Sequence, residues 1–183
     1  VISATDITMN KATEGGGLYV ANRLPYTTVV GQDADRMSPR LILNDVTINQ
    51  NQASDGGGAA IELRNLAEVH LDNVDIGSNV AYTGSAGLAL DVASHGTLHM
   101  QNIAFELNES VYGAGAGEIA LADNVVANWE NISVESNRST WGISGLAVST
   151  DNNVQIAGDK IVAMANTGSG PAFLSELANG ASL

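Results

Sequence analysis

The stretch Leu43–Leu63, LNDVTINQNQASDGGGAAIEL, contains one complete unit of a repeat that runs through the chain. The unit holds a short apolar strand, a corner, a polar turn that ends in glycines, and a second apolar strand. Its asparagine recurs at steps of 28, 29, 29 and 29 residues, giving the column Asn51, Asn79, Asn108, Asn137 and Asn166. An apolar column keeps the same steps: Ile48, Ile76, Phe105, Val134 and Ala163. A fixed period of this length is the signature of a solenoid.

Each unit divides into three short strands, which in the first clear unit are Leu41–Leu43, Val46–Ile48 and Ile61–Leu63. Apolar and polar residues alternate within the first two, as in strands with one buried face. Successive coils of one winding chain run in the same direction, and parallel crossovers are right-handed by strong preference. The sequence therefore predicts an all-β, right-handed, single-stranded parallel β-helix of about six coils, each of 28–29 residues.

Two further strand alignments complete the predicted coils. The third strand is expected to recur as Leu88–Leu90, Ile119–Leu121 and Leu146–Val148. A column of apolar residues precedes the corner of each coil: Leu43, Leu71, Met100, Trp129 and Ile156.

The asparagine column predicts a ladder of stacked amides, because each side chain is both a donor and an acceptor. Asparagine also tolerates left-handed backbone geometry at such a corner. A second polar column marks the corner between the first two strands: Asp45, Asn73, Asn102 and Asn131, ending at Lys160. Glycines before the third strand are expected to permit a tight or left-handed turn: Gly58, Gly87, Gly117 and Gly145.

A single β-helix domain spans residues 1–183 in this interpretation. The first coil carries its first strand weakly, near Ile2. Residues 21–40 form a long insertion between coils, and residues 171–183 are a candidate cap. We expect the chain to be a mature product or a fragment of a longer one.

The composition disfavours several classes of partner. The chain has 20 acidic and 7 basic residues, a net charge of −13 and no cysteine. Such a charge repels phosphate backbones, which disfavours nucleic acid as a partner. No apolar run approaches the roughly 18 residues that span a bilayer, so this segment is not expected to insert into a membrane.

A family resemblance rests on two segments, Ile48–Ala53 and Gly56–Ile61: a strand that ends in asparagine, a small-residue turn, glycines and an aliphatic pair. This pattern resembles the repeats of polymorphic outer-membrane proteins and autotransporter-passenger adhesins. The resemblance implies an extracellular or outer-surface, non-enzymatic adhesin, stalk or carbohydrate-contacting module. Its partner would be a glycan or a surface protein of a host or neighbouring cell. The chain is also similar to pectate-lyase-like folds. The alternative is therefore a polysaccharide-active enzyme, a lyase or glycoside hydrolase, or its remnant.

Candidate ligand-binding residues are aromatic and basic. Tyr82, Tyr112 and Trp141 fall in the same turn of three consecutive coils, where they could stack on sugar rings or cover the turn. The insertion region adds a second cluster for an anionic sugar or a carboxylate: Arg23, Tyr26, Arg36 and Arg40. No catalytic residue is assigned, because basic and acidic side chains do not converge on the predicted coils.

Candidate metal ligands are two small groups of side chains. His70 and His99 share a column one coil apart, with Asp72 two residues beyond His70. Neighbouring strands lie about 4.8 Å apart, so both imidazoles could reach one ion, although an ordinary solvated polar row is the favoured interpretation. Asp33 and Asp35 could hold calcium, the one cofactor that the sequence allows, but two carboxylates are too few to specify a site.

Overall fold

The computed structural model describes residues 1–22 and 38–176, and these residues form three parallel sheets. Strands are numbered along the chain. The first sheet contains β1 (Ile2–Thr8), β3 (Arg40–Asn49), β6 (Glu68–Gly77), β9 (Thr97–Glu106), β12 (Val126–Glu135) and β15 (Gln155–Met164). The second contains β4 (Gln52–Ala53), β7 (Val80–Ala81), β10 (Glu109–Ser110), β13 (Arg138–Ser139) and β16 (Thr167–Gly168). The third contains β2 (Leu18–Ala21), β5 (Ala59–Leu63), β8 (Leu88–Ala93), β11 (Gly117–Ala122), β14 (Leu146–Asp151) and β17 (Phe173–Glu176).

Every strand pairs in parallel with the equivalent strand of the neighbouring turn, which confirms the all-β, parallel solenoid fold. In the first sheet Ile48 is the register partner of Ile76, and Val134 is the partner of both Phe105 and Ala163. The predicted number of coils is too large. The structure describes about four complete turns, from β3 to β14, with a partial turn at each end. Right-handedness stays a prediction.

The two strands predicted on either side of the first corner form one ten-residue strand, because pairing with the next turn continues on both sides of the bend. The bend occurs at a single residue with positive φ, for example 53° at Asp45. The same geometry recurs down the predicted corner column, at Asn73, Asn102, Asn131 and Lys160. The corner column is therefore confirmed, and the predicted gap between the two strands is not.

Small and medium aliphatic side chains fill the interior between the three sheets. Ile48, Val74, Phe105 and Val134 are essentially inaccessible to solvent. Stacking each side chain on its counterpart in the next turn buries apolar surface without large aromatic residues. Trp129 is the exception in size, and it is buried in the same core.

The observed register corrects two of the predicted columns. Gly158, not Ile156, follows Trp129, because Ile156 pairs with Ala127. In the third sheet Ile61 pairs with Leu90 rather than Leu88. The predicted alignment of the third strand was therefore wrong by two residues for β8. It was wrong by two residues for β14 as well, where Val148 is the equivalent of Ile61. A shift of two keeps the same face of the strand buried, so the apolar pattern alone did not reveal the error.

The glycines before the third sheet serve close packing rather than left-handed geometry. Gly58 and Gly87 do not have positive φ; among the described glycines only Gly15 and Gly56 do. A Cβ on Gly87 would lie 2.1 Å from the carbonyl oxygen of Ala116 in the next turn. Ala116 and Gly145 are the equivalent residues of the next two turns. Gly117, which was predicted for this column, lies one position later and pairs with Leu88.

The partial turns at the two ends depart from expectation in one respect. The first turn has a full seven-residue strand, β1, in register with β3, so the expectation of a weak first strand was wrong. Within the candidate cap, Phe173–Glu176 pairs with β14 as a strand.

Residues 23–37 of the insertion and residues 177–183 lie outside the described part. In the described ranges, no helix has the length and apolar character needed to cross a membrane.

Candidate functional site

The asparagine ladder links each turn of the solenoid to the next through side-chain amides. Asn51 donates from its backbone N and its Nδ2 to Oδ1 of Asn79, at 2.9 and 3.0 Å. Its Nδ2 also donates to the carbonyl oxygen of Ile7 in the preceding turn. The pattern repeats at Asn79, Asn108 and Asn137, each buried. The ladder is therefore confirmed, and its polar atoms are used within the fold.

Asn10 is a sixth member of the ladder that sequence reasoning missed. Its backbone N and its Nδ2 both donate to Oδ1 of Asn51 at 3.0 Å. The step of 41 residues to Asn51 hid it, since the insertion interrupts the period. The available signal was its position three residues after Ile7, which matches the spacing of Ile48 and Asn51.

The ladder asparagines do not themselves adopt left-handed geometry. Positive φ falls instead on the preceding residue, for example Gln50 at 56°, Ser78 at 52° and Leu107 at 57°. The bend before the asparagine turns its backbone N and side chain toward the neighbouring turn, where both reach the same oxygen.

The aromatic row comprises Tyr82, Tyr112 and Trp141, which lie on the turns between the second and third sheets. All three are exposed, at 58%, 53% and 69% of their full surface. The Tyr82 and Tyr112 rings meet edge to face with centroids 5.4 Å apart. The N of Tyr112 donates to the carbonyl of Tyr82, and the N of Trp141 to that of Val111, so the turns stack in order. The rings of Tyr82 and Tyr112 are thus in contact, and Trp141 lies on the next turn.

Buried serines hold the turns that carry this row. Ser110 Oγ donates to the carbonyl of Gly84 in the preceding turn at 2.8 Å and accepts from the N of Gly113 at 2.9 Å. Ser139 makes the equivalent bonds one turn later, at 2.7 and 2.9 Å. The aromatic side chains therefore stand on backbone whose hydrogen bonds are satisfied, and this limits the entropy lost on binding a ligand.

Hydrogen bonding from Tyr82, followed by charge interaction with it and slight desolvation, raises the pKa of Tyr112.

The histidines lie elsewhere, on the outer face of the first sheet. His70 and His99 are register partners with ring centroids 5.7 Å apart. Nε2 of His70 lies 2.7 Å from Glu68, which also pairs with Arg40 at 3.1 Å. Among residues 1–22 and 38–176, no group of three or more His, Cys, Asp or Glu side chains is placed to hold a metal ion.

The candidate basic cluster is described only in part. Arg40 belongs to β3 in the first sheet, whereas the aromatic row lies between the other two sheets. The remaining candidates of the insertion lie outside the described residues: Arg23, Tyr26, Arg36, Asp33 and Asp35. Asp72 lies in β6 beside Gln101 of the next turn.

An acidic groove of about 270 Å³ crosses the outer face of the third sheet. Ala60, Ala89 and Ala120 line it, with Tyr19 also contributing. Five carboxylates surround them: Glu14, Asp55, Glu62, Asp91 and Glu118. Sequence reasoning missed this groove. Its signal was the recurrence of small and acidic residues at the outward positions of successive third strands.

One arginine bridges two carboxylates of the acidic groove. Arg64 Nη2 lies 2.7 Å from Asp91 Oδ2 and 3.5 Å from Glu62 Oε1. Burial raises the pKa of Asp91; Arg64 opposes this shift, and Glu62 adds to it. Folding therefore disfavours the ionisation of Asp91, although the Arg64 guanidinium contacts it.

No protein-family model matches the chain, and no curated protein or solved structure matches it significantly. The resemblance to outer-membrane and autotransporter repeats therefore stays a prediction.

Proposed function

We propose that this chain is a non-enzymatic β-helix, secreted or displayed on the outer cell surface, that contacts carbohydrate through the aromatic row. The observation that carries the proposal is the placement of Tyr82, Tyr112 and Trp141 on consecutive turns, each more than half exposed, with the first two rings in contact. Single exposed apolar side chains are common on protein surfaces. A row of them on a hydrogen-bonded scaffold is typical of an interaction surface.

Sugar rings suit this surface because their C–H faces pack against flat apolar rings. Adjacent turns lie about 4.8 Å apart, so side chains on consecutive turns can contact one extended chain. With a net charge of −13, the protein repels polyanions. We therefore expect a neutral or amino-bearing glycan rather than an acidic polysaccharide.

The test is a glycan array followed by calorimetric titration of the best neutral ligand. We expect the double variant Tyr112→Ala with Trp141→Ala to bind at least about tenfold more weakly, because it removes two stacking surfaces. Tyr19→Ala, which removes an exposed tyrosine outside the row, is the matched control. Wild-type affinity in the folded double variant would refute this location, and a surface protein captured without any glycan would refute the ligand class.

A second candidate function, a polysaccharide-active enzyme, draws on the acidic groove. A carboxyl group with a raised pKa beside a second carboxylate is the kind of pair that glycoside hydrolases use. Asp91 and Glu62 meet that description, with Arg64 bridging them. The test is release of reducing ends or unsaturated products from a polysaccharide panel, with and without added calcium. Activity that Asp91→Asn abolishes would favour the enzyme, and no turnover on any substrate would favour the binding module.

A further inference from the structure

Two lines of exposed side chains run along the same turns of the solenoid. One line is the aromatic row. The other consists of the outward residues of β7, β10 and β13, which are register partners: Val80, Glu109 and Arg138. Each of these residues precedes the aromatic residue of its own turn by two or three positions. Both lines therefore follow the solenoid axis, and one of them is aromatic while the other is largely polar.

The first two rings of the aromatic row do not form a flat surface. The ring planes of Tyr82 and Tyr112 make an angle of 86°. Hydrogen bonding between the two phenols accompanies this edge-to-face contact. A planar surface can lie on the face of only one of two perpendicular rings. The row therefore does not suit the flat face of a crystalline polysaccharide, whereas a single glycan chain can follow the change in ring orientation by rotation about its glycosidic bonds.

Glu109 and Arg138 provide polar groups of balanced charge beside the row. Nη1 of Arg138 lies 3.2 Å from Oε1 of Glu109, and the two side chains are 60% and 50% exposed. A carboxylate accepts hydrogen bonds from hydroxyl groups, and a guanidinium donates several. Although the chain carries a net charge of −13, this pair adds no net charge at this place. It complements a neutral ligand rich in hydroxyl groups better than a polyanion or a polycation.

The geometry points to one neutral glycan chain, laid singly along the solenoid axis, as the ligand of the aromatic row. This inference rests on the proposed function, and it names the form of the ligand and the residues that select it. C–H faces of the sugars pack on Tyr112 and Trp141, and hydroxyl groups at the edge of the chain bond to Glu109 and Arg138. Glu109 and Arg138 are therefore specificity-determining residues.

The length of the row makes the site sensitive to chain length. At about 4.8 Å per turn, the first and third turns of the row lie roughly 10 Å apart. A chain that follows the axis reaches more of the row as it grows longer. A ligand bound across the axis would contact one turn alone and would gain nothing from additional sugars.

The first experiment compares soluble and crystalline forms of the same polymers. Cellohexaose, chitohexaose and mannohexaose are titrated calorimetrically, with their disaccharides as short chains, and microcrystalline cellulose and chitin are tested by sedimentation of bound protein. We expect at least one hexasaccharide to bind more tightly than its disaccharide, and neither crystalline polymer to retain the protein.

Three outcomes of this experiment would overturn the inference. Retention on a crystalline polymer would contradict the single-chain form of the ligand. Equal affinity for a hexasaccharide and its disaccharide would contradict the axial placement. Binding of none of these probes would overturn the inference as a whole, and the glycan array decides the proposed function separately.

The second experiment tests the two polar residues. We expect Glu109→Ala and Arg138→Ala each to weaken hexasaccharide binding by about fivefold or more, because a charged hydrogen-bonding partner is lost. Arg40→Ala is the matched control, since Arg40 forms a similarly exposed pair with Glu68 at 3.1 Å on the first sheet. Exposed ion pairs contribute little to stability, so all three variants should keep the wild-type circular dichroism spectrum and melting temperature.

The variants separate this inference from the proposed function. Wild-type affinity in both polar variants, with binding lost in Tyr112→Ala combined with Trp141→Ala, would keep the row as the site and overturn the role of Glu109 and Arg138. An equal loss of affinity in Arg40→Ala would overturn that role as well, because the effect would then not depend on proximity to the row.

Discussion

Replacement of Asn108 by alanine tests the energetic role of the ladder most directly. Asn108 is completely buried at mid-ladder. Its Oδ1 accepts from the N and Nδ2 of Asn79, at 3.1 and 3.0 Å. Its Nδ2 donates to the carbonyl of Ile76 at 2.8 Å and to Oδ1 of Asn137 at 2.9 Å. The substitution therefore removes four hydrogen bonds at a site that water does not reach.

The expected loss follows from the groups left without partners. These are the backbone N–H of Asn79 and one of its amide hydrogens. Oδ1 of Asn137 keeps the bond from the backbone N of residue 108. A buried polar group without a partner costs about 1–3 kcal/mol, and neighbouring losses do not simply add. We expect Asn108→Ala to lower the free energy of unfolding by about 3–5 kcal/mol.

The assay is urea unfolding followed by circular dichroism. Asn128→Ala is the matched control, because Asn128 is exposed in β12 and its loss should change stability by less than about 0.5 kcal/mol. Asn166→Ala, at the half-buried end of the ladder, should fall between the two. If Asn108→Ala costs less than about 1 kcal/mol, or no more than Asn128→Ala, the hydrogen bonds of the ladder do not stabilise the fold as argued.

Three further predictions follow from the packing and the pKa shifts. Gly87→Ala should lower the melting temperature strongly, because its Cβ would meet backbone at 2.1 Å, while Gly77→Ala, with its nearest contact at 3.4 Å, should change it little; equal melting temperatures would contradict the close-packing role. Tyr82→Phe should lower the pKa of Tyr112 toward its ordinary value in an ultraviolet absorbance titration, because Tyr82 is the main cause of the shift. An unaltered titration would show that Tyr82 is not that cause. The raised pKa of Asp91 favours folding below its ordinary value of 3.8, and this contribution is lost as the pH rises through the folded pKa. Relative to Asp91→Asn, the wild type should therefore lose unfolding free energy as the pH rises across that interval, and a constant difference between the two would count against the shift.

The period and its asparagines were sufficient to predict the fold class. A fixed spacing of about 29 residues between Asn51 and its successors requires equivalent positions to recur in each turn, whatever the details of the turn. The ladder and the corner column around Asp45 were predicted correctly for this reason. The aromatic row was found in the same way, because Tyr112 and Trp141 share a position within the repeat.

The tertiary structure decided matters that depend on register and on contacts between turns. The alignment of Ile61 with Leu90 rather than Leu88 was not readable from the sequence, since both residues are apolar and face the core. The role of Gly87 depends on a carbonyl oxygen in the next turn, and the membership of Asn10 depends on winding past an insertion. Local pattern thus determined which residues repeat. The stacking of one turn on the next determined which atoms meet, because those contacts join residues about 29 positions apart.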